Sequence, residues 1–141
     1  MAAFCSISEH CESEVRERLQ KAGVSPDEAD RIVDYLYDEQ YLDAARYCRA
    51  FSRDRLRFAH WGRIKIQQAL RLKGLPDADI RQALEELPAE EYQSILRSIL
   101  QQKRRSLPDD EDAYTLKGKL IRFAIGRGFT MDEISEHLDH L

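Results

Sequence analysis

The basic side chains in the middle of the chain have the types and spacing that suit a binding site for anions. Residues 46 to 73 contain nine Lys or Arg and one acid, Asp54, which gives this segment +8. The other 13 basic and 25 acidic residues give −12, so the net charge is −4. Such a surface meets phosphate or an acidic partner. The alternative is a pair of solvated helix faces, which the scarcity of neutralising acids in the segment disfavours.

Two predicted helices must position these cations. On the first, Arg46, Arg49 and Arg53 are spaced i, i+3 and i+7 and share one face, which Arg57 extends if the helix continues. The planar guanidinium, with its several donors, suits phosphate or carboxylate. The spacing therefore predicts a ladder of anion-binding arginines.

The second helix repeats this arrangement. Arg63, Gln67 and Arg71 follow i, i+4 and i+8, and the Gln67 amide between the two arginines suits a hydrogen bond to a sugar, base or backbone. A different stripe of this helix suits packing and consists of Gly62, Ile66 and Leu70. A later basic helix without acids among its cations contributes Lys117, Lys119, Arg122 and Arg127. Three basic helices in succession predict one concave track.

A turn signal that occurs three times sets the architecture around these helices. Gly23, Gly74 and Gly128 each close a helical stretch and precede an apolar residue and a short second helix, and they lie 51 and 54 residues apart. Glycine suits the left-handed residue past a helix end because it lacks a Cβ. A repeat of this period predicts stacked units with a continuous core. The alternative is three unrelated helix ends.

The predicted fold is all-α, with three tandem three-helix units, the last truncated, that form about eight helices in an elongated, curved array. The units span residues 1–57, 58–106 and 107–141. The clearest helix start is Ser25 as N-cap with Pro26 in the first turn and Glu28 three residues after the Ser. The predicted helices span residues 8–22, 26 onward, 42–57, 61–73, 77–87, 89–105, 113–127 and 131–138. The acidic segment Ser106–Asp112 is the one predicted linker.

Signals of catalysis, metal binding and membrane insertion are weak. No Gly-rich phosphate loop, nucleophile elbow or zinc-protease motif occurs, so an enzyme is disfavoured. Cys5, His10, Cys11 and Cys48 have an unusual spacing for zinc, and the odd number of cysteines favours reduced thiols. We expect no metal and no cofactor. Without an 18-residue apolar run or a secretory signal, the sequence predicts a cytoplasmic protein that does not contact membranes.

Aromatic residues crowd the junction of the first two predicted units. Core packing is the favoured role for this group, with base stacking by one member as the alternative. The group consists of Tyr35, Tyr41, Tyr47, Phe51, Phe58 and Trp61.

Several motifs, in this order, resemble the RecX family of recombination regulators. They are the run Tyr41–Cys48, the segments Gly62–Ile66 and Leu70–Leu75, and Arg127–Phe129. The resemblance covers nearly the whole chain and includes the three-helix repeat. This sequence has Ala44 and Cys48 where the family more often has an acid and an alanine. It also ends soon after the second helix of its last unit, so no function is carried over to a ninth helix.

The resemblance implies a non-enzymatic regulator of the RecA recombinase, mainly an inhibitor, that acts in recombination, DNA repair and the SOS response. It implies binding along the groove of the RecA filament on single-stranded DNA, and we expect a monomer. The predicted filament contacts, which meet either DNA phosphates or acidic RecA surface, are Arg46, Arg49, Arg53, Arg57, Arg63, Lys65, Gln67, Arg71, Lys73, Lys119 and Arg122. Two other classes stay open, a helical module that binds nucleic acid directly and a protein-interaction scaffold.

Overall fold

The computed structural model describes residues 1–2 and 9–141, and this part of the chain contains eight α-helices and no strand. The predicted all-α fold is confirmed. The helices are α1 (Glu12–Lys21), α2 (Pro26–Asp38), α3 (Ala44–Ala59), α4 (Arg63–Leu72), α5 (Asp77–Glu85), α6 (Ala89–Ser106), α7 (Ala113–Gly126) and α8 (Met131–Leu138). The predicted start of the first helix at Ser8 lies outside the described residues.

The chain forms two compact units. Unit 1 consists of Met1–Phe51 and Ala69–Glu85, and unit 2 consists of Ser52–Gln68 and Glu86–Leu141. The long helix α3 and the helix α4 each contribute one part of their length to unit 1 and the other part to unit 2.

Unit 1 has a core in which α1 packs on α2. Val15 and Leu19 of α1 are buried against Val33 and Leu36 of α2, and Leu42 from the following loop joins them. The α2 residues recur at the spacing of one helical face, which is why one side of α2 is apolar while the other is charged. Burial of these side chains is the main stabilising contribution to the unit.

The three predicted turn glycines adopt the left-handed conformation, with φ of 82° at Gly23, 82° at Gly74 and 99° at Gly128. Each turn has the same two backbone hydrogen bonds. After α1, the Gly23 N–H donates to the Gln20 carbonyl at 3.0 Å and the Val24 N–H donates to the Leu19 carbonyl at 3.1 Å. This is the Schellman arrangement, which satisfies carbonyls that the helix end leaves unpaired. The predicted left-handed caps are confirmed.

The turn at Gly128 in unit 2 makes a second set of bonds, to the start of α4. The Gly62 N–H donates to the Arg127 carbonyl at 2.7 Å, and the Ile64 N–H donates to the Gly128 carbonyl at 3.0 Å. A Cβ on Gly62 would lie 2.5 Å from the carbonyl carbon of Gly128. Two glycines therefore face each other because the two backbones approach too closely for any side chain.

Beside this backbone contact, unit 2 buries two aromatic side chains, Tyr92 and Phe129. Tyr92 of α6 is fully buried and its ring lies 5.3 Å from that of Phe129, which directly follows the Gly128 turn. The Tyr92 hydroxyl accepts a hydrogen bond of 3.1 Å from the Arg63 N–H. Burial raises the pKa of Tyr92 to about 12, so the phenol is neutral under ordinary conditions.

The predicted bounds of α3 are two residues off at each end, and both differences have a local cause. The Asp43 carboxylate accepts a 2.9 Å hydrogen bond from the Arg46 N–H, and the helix begins after Asp43 rather than at Leu42. At the other end α3 runs to Ala59. There His60 takes φ of 57° and the Trp61 N–H donates to the Arg55 carbonyl at 3.1 Å, which delays the start of α4 to Arg63.

Candidate functional site

Arg46, the first residue of the predicted arginine ladder, is a structural residue of unit 1. Its Nε donates to the Glu9 carboxylate at 2.5 Å. One terminal nitrogen of the same guanidinium donates to the Gln40 carbonyl at 3.0 Å. These bonds fix the loop between α2 and α3, where Gln40 takes a left-handed φ of 61°. The prediction that Arg46 lies unpaired on an exposed face is wrong, because an acid from the N-terminal part of the chain pairs with it.

Arg71 and Lys73, at the end of α4, also have acidic partners within unit 1. Arg71 Nε lies 3.4 Å from an Asp77 carboxylate oxygen, and both side chains are more than half exposed. Lys73 Nζ lies 3.8 Å from Glu14 and 6.0 Å from the centre of the Phe51 ring. The exposed Arg71 pair contributes little to stability, and the Lys73 pair is partly buried but has a long separation. Both cations therefore stay able to exchange their carboxylates for another anion.

Among the predicted contact residues of unit 1, Arg49 is the cation without an ion pair within the described residues. It lies on α3, three residues after Arg46, and its side chain is half-buried. No carboxylate of the described part of the chain forms an ion pair with it. Among the predicted contacts on α3 in unit 1, Arg49 is the better placed for an external anion.

In unit 2, the predicted contact residues Arg57 of α3 and Arg63 of α4 are held by carboxylates. Arg57 Nε donates to Glu91 at 2.9 Å, which joins α3 to α6. Arg63 lies deeper: its guanidinium donates to Glu133 at 3.0 Å and its carbon Cζ lies 3.9 Å from the centre of the Tyr92 ring. Arg63 thus binds α4 to the first turn of α8, and its observed contacts are those of a packing residue.

In unit 2, a Trp ring lies close to two cations. The Arg55 guanidinium carbon lies 5.1 Å, and the Lys65 ammonium 4.8 Å, from the centre of the Trp61 ring. Such cation–π contacts hold cations at a surface without neutralising them. Arg55 was missing from the predicted contacts because it lies off the ladder face. A sequence signal for Arg55 exists: it lies six residues before Trp61, and Lys65 follows the Trp four residues later.

Arg53 and Gln67 of unit 2 stay available as predicted. Arg53 is exposed on α3 and Gln67 is half-buried on α4. Neither forms an ion pair or a side-chain hydrogen bond with another described residue. The predicted role of both residues in binding stays a prediction.

The basic helix α7 divides into structural and exposed cations. Lys119 forms an ion pair with Glu111, and Arg127 donates to the Ala59 carbonyl at 3.1 Å. Arg122 is exposed and has no ion pair within the described residues. Lys117 lies 3.5 Å from Asp139, with both side chains more than half exposed. Lys117 and Arg122 are therefore the cations that α7 presents to solvent.

Six of the eleven predicted contacts consequently have a carboxylate partner. Four of these partners are acids that lie far away in the sequence, while those of Arg71 and Lys119 lie six and eight residues away. The expectation that the basic segment lacks neutralising acids is therefore wrong. The paired residues are Arg46, Arg57, Arg63, Arg71, Lys73 and Lys119. The predicted contacts that keep a free charge within the described residues are Arg49, Arg53, Lys65 and Arg122.

The aromatic residues follow the predicted core role only in part. Tyr47 is buried and stacks on Phe51 with ring centres 5.9 Å apart, which confirms packing for this pair. Tyr35 is 53% exposed and Phe58 is 80% exposed, so the core prediction is wrong for both. Tyr35 lies off the apolar face of α2, and Phe58 lies in the last turn of α3.

The described residues contain no cluster of three or more His, Cys, Asp or Glu able to hold a metal ion. Cys11 and Cys48 are buried thiols, and burial raises the pKa of Cys48 to about 11. Cys5 lies outside the described residues. Among the helices of the described part, none combines the length and the apolar character that crossing a bilayer demands.

Helices joined by three equivalent turns, with cations on their surfaces, define an all-helical protein of the three-helix-repeat class. The chain belongs to the RecX family. Models of the first, second and third three-helix domains of RecX match residues 2–36, 43–84 and 90–138, in that order. The predicted repeat of three-helix units is confirmed, while the unit limits 1–57, 58–106 and 107–141 stay a prediction.

Two relatives show how far the similarity extends. The chain is 31% identical over 131 residues to the regulatory protein RecX of Pseudomonas savastanoi pv. phaseolicola, which covers 92% of this chain and 81% of that protein. It is 29% identical over 126 residues to the regulatory protein RecX of Clostridium botulinum. That match covers 89% of this chain, which spans 58% of the length of the relative.

Solved structures show the same fold. A crystal structure of regulatory protein RecX superposes with a TM-score of 0.88 at 20% identity, over 97% of this chain and 68% of that one. RecX from Lactobacillus salivarius superposes with a TM-score of 0.85 at 18% identity, over 99% of this chain and 90% of that one.

Proposed function

We propose that this protein regulates the RecA recombinase, mainly as an inhibitor, by binding along the groove of the RecA filament on single-stranded DNA. It acts as a monomer in the cytoplasm and by binding rather than by catalysis. In this way it modulates recombination, DNA repair and the SOS response. The observation that carries the proposal is the match to all three RecX domains in their order along the chain.

The unpaired cations support an anionic partner. Arg49, Arg53, Lys65 and Arg122 keep their charge without a carboxylate in the described part of the chain. Each such cation that meets a phosphate releases counterions, so affinity for a nucleoprotein filament should fall with salt. The paired cations contribute less to binding, because an incoming phosphate must first displace a carboxylate.

Co-sedimentation with RecA filaments, formed on single-stranded DNA with a slowly hydrolysed nucleotide, tests the proposal. The informative variant is Arg49→Glu with Arg53→Glu, which reverses two free charges on α3 and leaves the structural Arg46 intact. We expect a folded protein that no longer sediments with the filament. At physiological salt, charges are screened over about 8 Å. A loss of binding that persists above this salt concentration indicates direct contact rather than long-range attraction.

Asp109→Lys with Asp110→Lys is the matched control, since both acids are exposed in the segment between α6 and α7. Asp112 is unsuitable because its carboxylate accepts a 2.8 Å hydrogen bond from the Thr115 N–H and caps α7. A double arginine variant that still inhibits RecA at wild-type concentrations would show that these arginines are solvated.

The two remaining classes give different results in the same assay. A wild-type protein that binds bare single-stranded DNA with a steep salt dependence and ignores RecA is a nucleic-acid-binding module. A wild-type protein that binds neither filament nor DNA refutes the RecA proposal and favours a protein scaffold.

A further inference from the structure

An exposed aromatic and apolar stripe runs along α7 in unit 2. Tyr114, Gly118, Ile121 and Ile125 are spaced i, i+4, i+7 and i+11, which places them on one helical face. Tyr114 is 90% exposed and Ile125 is 50% exposed. The helix uses a different face for the core, through Leu120 and Ala124. The stripe is therefore not needed for folding unit 2, and exposed apolar faces of this kind mark binding sites.

Two cations flank the stripe. Lys117 lies on one side of it and Arg122 on the other, three and eight residues after Tyr114. The fourteen residues of α7 include three basic side chains and no acid, but Glu111 before the helix pairs with Lys119, so Lys117 and Arg122 are the cations beside the stripe. The carboxylate that faces Lys117, Asp139, is more than three quarters exposed at 3.5 Å, where water and salt screen the pair.

Gly118 opens a groove in the middle of this face. Tyr114, Lys117, Gly118, Ile121 and Arg122 line the groove together with Thr115. A Cβ on Gly118 would stand 3.5 Å from a terminal nitrogen of Arg122, so the guanidinium extends over the position where a side chain is missing. A ligand that draws this flexible guanidinium aside can approach the helix backbone between the two cations.

The ring of Tyr114 is the free aromatic of α7. The other aromatic ring of α7, Phe123, already has Lys103 and Arg127 at 5.3 Å from its centre. Tyr114 stands two residues after the Asp112 cap, whose carboxylate accepts bonds from both the N–H and the hydroxyl of Thr115. The cap holds the first turn of the helix, so the Tyr114 ring stands on a fixed backbone.

We propose that this face of α7 binds single-stranded nucleic acid. A base stacks on the Tyr114 ring, Lys117 and Arg122 bind the phosphates on either side, and Gly118 leaves room for the sugar and backbone. A cationic groove with an exposed aromatic ring is the arrangement that binds single strands without reading their sequence. Arg122 has no ion pair within the described residues, and solvent screens the Lys117 pair with Asp139, so both cations are able to bind phosphate.

This inference deepens the proposed function by assigning the contact that the strand itself makes, and it is testable without RecA. Fluorescence anisotropy of a labelled oligothymidylate measures the affinity of the full chain for single-stranded DNA. We expect Tyr114→Ala to weaken binding about 5- to 150-fold, the range carried by stacking of one base. Tyr114→Phe keeps the ring and should bind within about twofold of the wild type. Arg122→Gln should lower the slope of log affinity against log salt by about 1.

Tyr35→Ala is the matched control. Tyr35 is also an exposed tyrosine on a helix, but α2 carries five acids and one base, a net −4, which repels phosphate. We expect no change in affinity. Circular dichroism and thermal melting confirm that each variant is folded.

Wild-type affinity in Tyr114→Ala and Arg122→Gln overturns the inference. If the same two variants bind the oligonucleotide normally but no longer sediment with RecA filaments, the face docks on protein instead, and the inference fails while the RecA proposal stands. The inference also fails, and the RecA proposal stands, if the wild-type chain does not bind oligothymidylate but sediments with the filament.

Discussion

The turn after α1 in unit 1 and the turn after α7 in unit 2 have the same local structure but different surroundings. Both have a left-handed glycine and the same pair of Schellman hydrogen bonds. A Cβ added to Gly23 would meet nothing within 4 Å, whereas one added to Gly128 would lie 2.5 Å from the Cβ of Lys65. The first glycine is needed only for its backbone conformation, and the second also for the space it leaves.

The difference shows that one local sequence signal can serve two purposes. The Gly-apolar pattern specifies the end of a helix in every repeat, because the hydrogen bonds that define the turn lie within six residues. In unit 2 the carbonyls of the same turn also accept hydrogen bonds from the start of α4. Gly62 is 66 residues from Gly128 along the chain, so no local sequence pattern predicts this contact.

The largest expected effect comes from adding a methyl group at each of the two turns. Gly128→Ala should lower the free energy of unfolding by about 3 kcal/mol or more, since it combines an unfavourable φ with a backbone clash. Gly23→Ala should cost only about 1 kcal/mol, because φ alone is unfavourable there. Urea denaturation of the two variants measures both numbers. Equal costs at the two turns would contradict the distinction between them.

A second prediction isolates the clash from the backbone conformation. Gly62 does not have a left-handed φ, yet a Cβ there would stand 2.6 Å from the Phe129 nitrogen. Gly62→Ala should therefore destabilise by about 2–3 kcal/mol through overpacking.

The control for this change is Gly126→Ala. Gly126 ends α7 with no atom within 4 Å of an added Cβ, so alanine should be neutral or stabilise by up to about 1 kcal/mol. If Gly62→Ala melts at the same temperature as Gly126→Ala, the close approach of the two backbones does not exist in solution.

A third prediction concerns the side-chain link beside the same turn. Arg63→Gln removes the 3.0 Å ion pair with Glu133 and the contact with the Tyr92 ring, and should cost about 1–2 kcal/mol. A double-mutant cycle with Glu133→Gln isolates the pair energy. Arg49→Gln is the matched control, with an expected change below about 0.5 kcal/mol. A zero coupling energy would leave Arg63 available for the filament.

The smallest expected effect is a pH dependence that belongs to unit 1. The pKa of Glu12 lies below its usual value because Arg16 and Tyr37 donate hydrogen bonds of 2.8 and 2.9 Å to its carboxylate. A carboxyl with a lower pKa in the folded than in the unfolded chain stabilises the fold above the unfolded value, about 4.3, and loses this contribution as the pH falls further.

Chemical denaturation between pH 7 and pH 3 of the wild type and Glu12→Gln measures this term. The ion pair is largely exposed, so we expect a difference of about 0.5 kcal/mol or less at pH 7 that becomes smaller as the pH falls toward 3. A difference that grows as the pH falls would mean that the sign of the effect is wrong.

Most of the fold follows from local rules, and for that reason it could be predicted. Helix ends at Gly23, Gly74 and Gly128 depend on bonds within a few residues of the turn. Two further left-handed turns, at Gln40 and His60, escaped prediction because their residue types do not require the conformation. At Gln40 the hydrogen bond from Arg46 to the Gln40 carbonyl accompanies the conformation, and at His60 the hydrogen bond from the Trp61 N–H to the Arg55 carbonyl does so.

The candidate site was harder to predict than the fold. The spacing of basic residues on a helix predicts which side chains share a face, but it does not reveal the acids that the fold brings beside them. Glu9, Glu91 and Glu133 come from three separate parts of the sequence and neutralise Arg46, Arg57 and Arg63. Charge counting within a segment therefore overestimates a binding surface wherever tertiary contacts join basic and acidic segments.

The bond between Gly62 and Arg127 also has a consequence for synthesis on the ribosome. A nascent chain exposes the Gly62 and Ile64 N–H groups long before residues 127 and 128 leave the exit tunnel, whereas every segment of unit 1 has been made once Glu85 is added. Since translation adds about 5–20 residues per second, the Gly62 and Ile64 N–H groups lack their carbonyl partners for several seconds. During this interval water must satisfy the Gly62 and Ile64 N–H groups, and the start of α4 gains its backbone partners only when the last unit has been made.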